Sequence, residues 1–506
     1  MRRGNAGVHS NFALAAVCAV LFLTFLDTTI VSVALSDVQS RLHAGVSALQ
    51  WVVNGYALTF ASLMLIAGSL SDRFGRRRVM LGGLAVFACG SLLGALAPTS
   101  GVLIGARIIM GVGAAASEPG TLSVIRHIFP DQGERARALG AWAAVSSLAL
   151  ALGPVIGGTL VGLGTWRAIF WFNVGAAAVI IALAAAVVPE SSDPQGARLD
   201  VAGSVVGAAG LGALTCAVIL GETAGYRAPF VITLFAVGVV ALVGFVRVER
   251  ASKAPVLDLA YFRAPAFSGA LTVAFVAFFG IFSIFFFTAL YLAAVIGYSP
   301  YHVAVEFLPM TGAMIVAAGL AGRRVALGSA RLAMAEGCVL AAAGILLSDL
   351  LLSAPVPSNW LMATLALAGF GFGTAVVPVT SVTLAVVPAE RSGMAASATN
   401  TSRELGAVFG VAVLGALVDA NLTAGLTRRL HMLKIPANFI SVVINAIETG
   451  IVPAGVKGGG TIEDKVIVAA YSAFRSGLKA ALLASGVALL VGAVVATVTV
   501  RDGQSS

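Results

Sequence analysis

The chain is poor in charge. Asp, Glu, Lys and Arg make up only 10% of its 506 residues, against 59% hydrophobic ones, and the mean hydropathy is +0.99. Soluble domains carry about 25% charged residues, so an ordinary soluble globular protein is excluded. Cysteine is scarce: Cys18, Cys89, Cys216 and Cys338 all fall inside apolar runs. They read as small buried hydrophobes rather than as a disulfide framework. The five histidines, His9, His43, His127, His302 and His431, are scattered without metal-ligand spacing, so no metal is expected. No Gly-rich phosphate loop or Walker signature occurs, which argues against ATP drive, against an enzyme and against any cofactor.

Long apolar runs are abundant. Fourteen spans can be drawn, at about 12–35, 48–70, 79–97, 102–122, 138–162, 168–188, 201–221, 229–247, 267–294, 303–321, 332–352, 360–387, 393–418 and 477–500. Backbone polar groups in lipid must be satisfied internally, which leaves helices or a closed barrel. Barrel strands alternate apolar and polar residues over about ten positions, and these runs are longer and more uniform. The 58 glycines suit close helix packing. The sequence therefore predicts an all-α integral membrane protein. The basic start, MRRGNAGVHSN, leads into a first run with no small-residue cleavage site, which reads as a retained span.

Charge distribution sets the orientation. The net charge of +9 might suggest a nucleic-acid partner, but the basic residues sit in short loops between spans. With a cytoplasmic N-terminus, the inside segments hold Arg73, Arg76, Arg77, Arg78, Arg126, Arg135, Arg137, Arg323, Arg324 and Arg391 among others. The short outside loops hold only Arg41, Arg167 and Arg227. The positive-inside rule then places both termini in the cytoplasm of a cell whose inner membrane the chain spans. One outside segment, 419–476, is long. It reads either as a plain extracellular linker or as a carrier of an amphipathic surface helix at 438–448, with a flexible GVKGGG break at 455–460.

Four ionisable residues stand out inside the spans. Asp27, in LTFLDTTIVSVAL (23–35), would cost roughly 2.5–3.5 kcal/mol at a helix centre on insertion scales. Arg107 lies in the fourth span, LIGARIIMGVGAAASEPG (103–120), with Glu118 eleven residues on. The two fall within about 20° of one face but roughly 16 Å apart along the axis, so they line one cavity without pairing. Glu404 follows Arg403 in span 13, one turn after Asn400. Glu118 and Glu404 read either as proton or cation sites or as structural groups, Glu118 beside the Pro119 kink and Glu404 beside Arg403. Glu306 is expected at the outer interface of span 10, and the Phe-rich stretch 274–291 faces lipid, helix or substrate.

Motifs gather these features. Between spans 2 and 3 lies GSLSDRFGRRRV (68–79), and AGRRVALGSAR (321–331) is its weak echo between spans 10 and 11. Span 5 contains ALGPVIGGTLVG (151–162), directly before WRAIFWFNV (166–174). The loop, through Gly68, Asp72, Arg73, Gly75, Arg76 and Arg77, resembles the signature of the major facilitator superfamily. Gly153, Pro154, Gly157 and Gly158 are similar to its antiporter motif, whose Pro kinks the helix and whose glycines permit tight packing. Arg107, Gly111 and Gly113 match its fourth-span motif, with Met110 where the family has Gln. LDTTIVSVALS (26–36), WVVNGYAL (51–58), YLAAVIGYSP (291–300) and NTSRELGAVFGVAVLG (400–415) resemble the fourteen-helix drug:proton antiporter subfamily. Ser36 replaces its Pro, and Ala293 and Glu404 replace Gln.

The resemblance implies a major facilitator fold of 14 transmembrane helices, arranged as 6+2+6. The first six-helix half would be 1–200, two inserted helices and a cytoplasmic loop 201–265, and the second half 266–506. It implies a proton-coupled exporter of hydrophobic or cationic drugs, working as a monomer in the lipid bilayer. Asp27, Arg107, Glu118 and Glu404 would couple protons. Trp51, Tyr56, Met110, Tyr291 and Asn400 would join Asp27, Glu118 and Glu404 around the substrate. The loop residues 68–77 would form a latch of the outward-open state. A dedicated exporter of one endogenous metabolite or lipid is the alternative, and a proton-coupled uptake permease a weaker one.

Overall fold

A computed structural model describes residues 2–44, 46–191, 201–252, 255, 257–298, 300–352, 358–388, 391–433 and 462–501. Those residues are overwhelmingly helical. The helices are α1 (Arg2–Ile30, continued by a 3-10 turn to Ala34), α2 (Leu35–Leu42), α3 (Val46–Phe74), α4 (Arg76–Ala95), α5 (Ser100–Ile128), α6 (Gln132–Leu163), α7 (Arg167–Val187), α8 (Val201–Ala224) and α9 (Pro229–Ala251). They continue with α10 (Pro265–Ser283), a π-turn at Ile284–Thr288, α11 (Ala289–Ala294), α12 (Pro300–Ala326), α13 (Ala330–Leu352), α14 (Ser358–Val386), α15 (Ser392–Met432) and α16 (Ile462–Thr499). Among the described residues, twelve helices are long and apolar enough to cross a membrane, and thirteen if the bent α6 is one span. The chain is thus a multi-span helical membrane protein.

Local sequence sets the helix ends. Thr99 accepts the Val102 N–H at the start of α5, and Asp131 accepts the Glu134 N–H at 2.9 Å at the start of α6. Pro229 and Pro265 open α9 and α10, where a missing N–H costs nothing. The bend of 43° in α6 falls between Leu150 and Val155, at Pro154.

One packing scheme occurs twice. In the first set, α3 and α4 pack on α5, α1 on α6, and α4 on α7. In the second, α12 and α13 pack on α14, α10 on α15, and α13 on α16. The sets meet through α3 against α15 and α6 against α12, equivalent pairs with the partners exchanged. Helix α8 packs on α9, on α3 and on α15, so it touches both sets at their seam.

Three expectations are corrected. Segment 419–476 is not a plain linker at its ends, because α15 runs to Met432 and α16 begins at Ile462. At 41 and 38 residues, these helices reach about 60 Å, well beyond a hydrocarbon core of about 30 Å. Leu422, Leu426 and Leu430 pack on Ala469, Ala470 and Ala473, so the pair continues as a helical hairpin. Arg475 pairs with Asp349 of α13 at 2.6 Å and anchors it. The surface-helix and GVKGGG readings, at 438–448 and 455–460, lie outside the described residues. Cys89 is exposed on α4 rather than buried, while Cys18 and Cys338 are buried as expected. Glu306, near the start of α12, is buried rather than exposed.

Candidate functional site

Asp27 lies on α1 with its side chain fully buried. A buried carboxylate must be paired or neutral, and two helices supply its partners. The Arg107 guanidinium, from α5, donates through Nη1 to one carboxylate oxygen and forms an ion pair with it. The Asn173 amide, from α7, donates to the other at 2.6 Å. Arg107 is then held by α3: its Nε–H donates to the Val52 carbonyl at 2.9 Å, and its guanidinium lies 4.4 Å over the Tyr56 ring. The Tyr56 hydroxyl donates to the Thr24 carbonyl, one turn before Asp27. Four helices of the first set therefore converge on one carboxylate. Met110 is buried beside this group, its sulfur 4.0 Å from Nη1 where the family's Gln would offer a stronger acceptor. Trp51 is half-buried on α3 next to Val52.

A second polar cluster lies at the seam. Glu118, on α5, is fully buried, and neither of its carboxylate oxygens has a hydrogen-bond partner. Arg403 and Glu404, on α15, lie within its electrostatic reach. Arg403 donates to Thr380 Oγ1 of α14 at 2.5 Å and to Asn400 Oδ1 at 3.3 Å. Its guanidinium sits 5.4 Å from the Trp142 ring of α6 and 5.6 Å from the Phe278 ring of α10. Asp27 and Glu118 thus have different surroundings, Asp27 bound by Arg107 and Asn173 and Glu118 without a hydrogen-bond partner. Tyr291 is in neither cluster: it stacks on Phe474 at 6.2 Å, beside the hairpin.

The loop after α3 is built around a carboxylate from elsewhere. Gly75 has φ +103°, a left-handed conformation that favours glycine, and a Cβ there would meet the Glu190 carboxylate at 2.8 Å. Glu190 accepts the Arg77 N–H at 3.1 Å and lies 3.7 Å from Arg78 Nε. The Arg76 N–H donates to the Ser191 carbonyl at 2.9 Å, and the Arg77 guanidinium to the Ala185 carbonyl. The end of α7 therefore caps α4. Arg76 is buried and Arg73 exposed; Gly68 and Asp72 lie in the last two turns of α3, and the side chain of Asp72 is outside the described set.

On α6 the two packing glycines face α1. A Cβ at Gly153 would come within 1.9 Å of Thr29 Oγ1, and one at Gly157 within 2.6 Å of the Ile30 carbonyl. Thr29 also donates to the Leu150 carbonyl at 2.8 Å. Gly158 corrects the expectation, since a Cβ there would meet nothing within 4 Å. It faces away from the helix contact.

A family model described as Major Facilitator Superfamily matches residues 17–203 and again 194–411. The chain belongs to the Major Facilitator Superfamily. It is a membrane transporter by family, not an enzyme. It is 35% identical over 411 residues to the Multidrug resistance protein Stp of Mycobacterium tuberculosis, covering 81% of this chain and 76% of that protein. It is 37% identical over 418 residues to a Methylenomycin A resistance protein of Bacillus subtilis, covering 80% and 88%. Over 494 residues it is 33% identical to the Drug efflux pump JefA of Mycobacterium tuberculosis, covering 94% and 95%. The human organic anion transporter MFSD10 shares the fold, with TM-score 0.64 at 15% identity, covering 96% of this chain and 99% of that one.

Within this facilitator, the sequence reading missed three side chains, Asn173, Glu190 and Trp142. Asn173 stood inside a quoted motif, and an Asn within the apolar α7 was the available signal. Glu190 sits directly after α7. Trp142 and Arg403 meet only through tertiary packing, and nothing in the local pattern pointed to their pairing.

Proposed function

We propose that this facilitator exports hydrophobic or cationic drugs across the cytoplasmic membrane in exchange for protons, by alternating access. The observation that carries the reading is Asp27, a buried carboxylate held by one cation, Arg107, and one amide, Asn173. Protonation of Asp27 removes the charge that holds Arg107. The guanidinium then keeps only the Val52 carbonyl and the Tyr56 ring, so proton binding biases how α1 sits on α5 and α7. Export requires that this bias differ between the two open states.

In the same reading, α3 brings the number of spans to fourteen, residues 1–200 and 266–506 form two related halves, and 201–265 carries the inserted pair. Both termini are cytoplasmic, the Gly75–Arg77 turn with Glu190 is the latch at that end, and the monomer is the working unit. Glu118 and Glu404 serve at the seam, beside Asn400. Relatives named for multidrug resistance or drug efflux support a broad substrate range. A relative named for methylenomycin A resistance favours a second reading, export of one dedicated compound.

Everted membrane vesicles energised by respiration test the proposal. Wild type should accumulate a cationic and a neutral dye. Asp27→Asn should lose both, and Glu118→Gln and Glu404→Gln should lose chiefly the cation. Undiminished accumulation of both dyes by Asp27→Asn would sink the assignment of the proton site.

A further inference from the structure

We propose that Trp142 and Phe278 form a subsite for a flat, delocalised organic cation, and that Arg403 fills it with its own guanidinium when no substrate is bound. The proposal rests on the export reading above and names the chemistry its seam site selects. A guanidinium is itself a flat, delocalised cation, more weakly hydrated than an ammonium. Here it lies against two rings, at 5.4 and 5.6 Å from their centroids, where ring quadrupoles attract positive charge. The rings come from opposite sets, Trp142 from α6 and Phe278 from α10, so the subsite exists only while the sets are closed on one another.

The surrounding polar atoms are prepared for a charge that Arg403 does not fully satisfy. Both Glu118 oxygens, acceptors that the N–H groups of a cation would satisfy, are buried without hydrogen-bond partners. Native structures leave few such atoms, and clusters of them mark a missing partner. Glu118 on α5 and Glu404, next to Arg403 on α15, both lie within electrostatic reach of its guanidinium. Trp142 is fixed in place: its Nε1–H donates to Thr121 Oγ1 at 3.1 Å, and Thr121 donates to the Glu118 carbonyl at 2.6 Å. The ring and the carboxylate thus ride on the same turn of α5. A cationic substrate entering between the rings would displace the guanidinium from them, with Thr380 of α14 and Asn400 of α15 as its remaining tethers. Arg403 acts as a tethered competitor, and neutral substrates bind without displacing it.

Equilibrium binding to the purified full-length protein, with no gradient, tests this. The probes are ethidium, a flat cation, and Nile red, a neutral dye. Arg403→Gln should bind ethidium about tenfold more tightly than wild type, from removal of one cation–π competitor, with Nile red unchanged. Glu118→Gln added to Arg403→Gln should take the ethidium gain back. Equal or weaker ethidium binding by a folded Arg403→Gln protein, or equal gains for both dyes, would overturn the proposal and identify Arg403 as a structural tether. Should that variant fail to fold, Trp142→Phe decides. Ethidium should quench tryptophan emission in wild type, and Trp142→Phe should lose most of that quenching. Quenching that persists there overturns the subsite. These readouts need no proton flow, so a failed subsite leaves the export reading intact. A confirmed subsite in a protein that moves no dye would sink export instead.

Discussion

Asp27 is fully buried, yet its two oxygens are answered by groups from α5 and α7 that lie 80 and 146 residues away in the chain. A hydrogen bond to a charged group contributes about 1.5–3 kcal/mol, so the Asn173 contact should be felt directly. Asn173→Ala is expected to lower the transport rate about tenfold or more in reconstituted vesicles, with the folded protein recovered in wild-type yield. Unchanged transport would show that Arg107 alone positions the carboxylate. Asp27 and Arg107 were legible in the sequence because a charge in an apolar run is costly enough to demand an explanation. Asn173 was not, because a neutral amide costs less and its partner is set by tertiary packing. The same holds for Trp142, an aromatic among many whose role depends on a guanidinium from another helix.

The elements show which motif positions serve packing. Gly153 and Gly157 let α6 lie against α1 beside Thr29 and Ile30, within two turns of Asp27. Gly153→Ala or Gly157→Ala should destabilise the protein by about 1–3 kcal/mol through overpacking. Gly158→Ala, on an open face, should be neutral or stabilising by up to about 1 kcal/mol. Melting temperatures of the purified variants read this, and equal losses at all three positions would contradict it. The kink in α6 followed from Pro154. The hairpin of α15 and α16 was not legible in the sequence. Its polar outward faces beyond the membrane looked like loop, while the Leu422, Leu426 and Leu430 stripe that pairs it repeats at helical spacing. The Arg-rich turn was legible as a motif, but its capping carboxylate, Glu190, comes from 113 residues away in sequence.

At the scale of the molecule, two helix sets with one packing scheme meet through α3 with α15 and α6 with α12. The Asp27 cluster lies within the first set, and the Arg403 cluster lies across the seam. On the proposed reading the proton site and the substrate site are spatially separate, and α5, which carries both Arg107 and Glu118, links them. The separation gives the account its central claim: Asp27 carries the proton, and the binding of substrate does not depend on it. Proteoliposomes with an imposed pH gradient, and substrate equal on both sides, test it most directly. Wild type should accumulate substrate against its own gradient. Asp27→Asn should accumulate none, yet still exchange labelled for unlabelled substrate across the membrane. Gradient-driven accumulation by Asp27→Asn at the wild-type level would contradict the account.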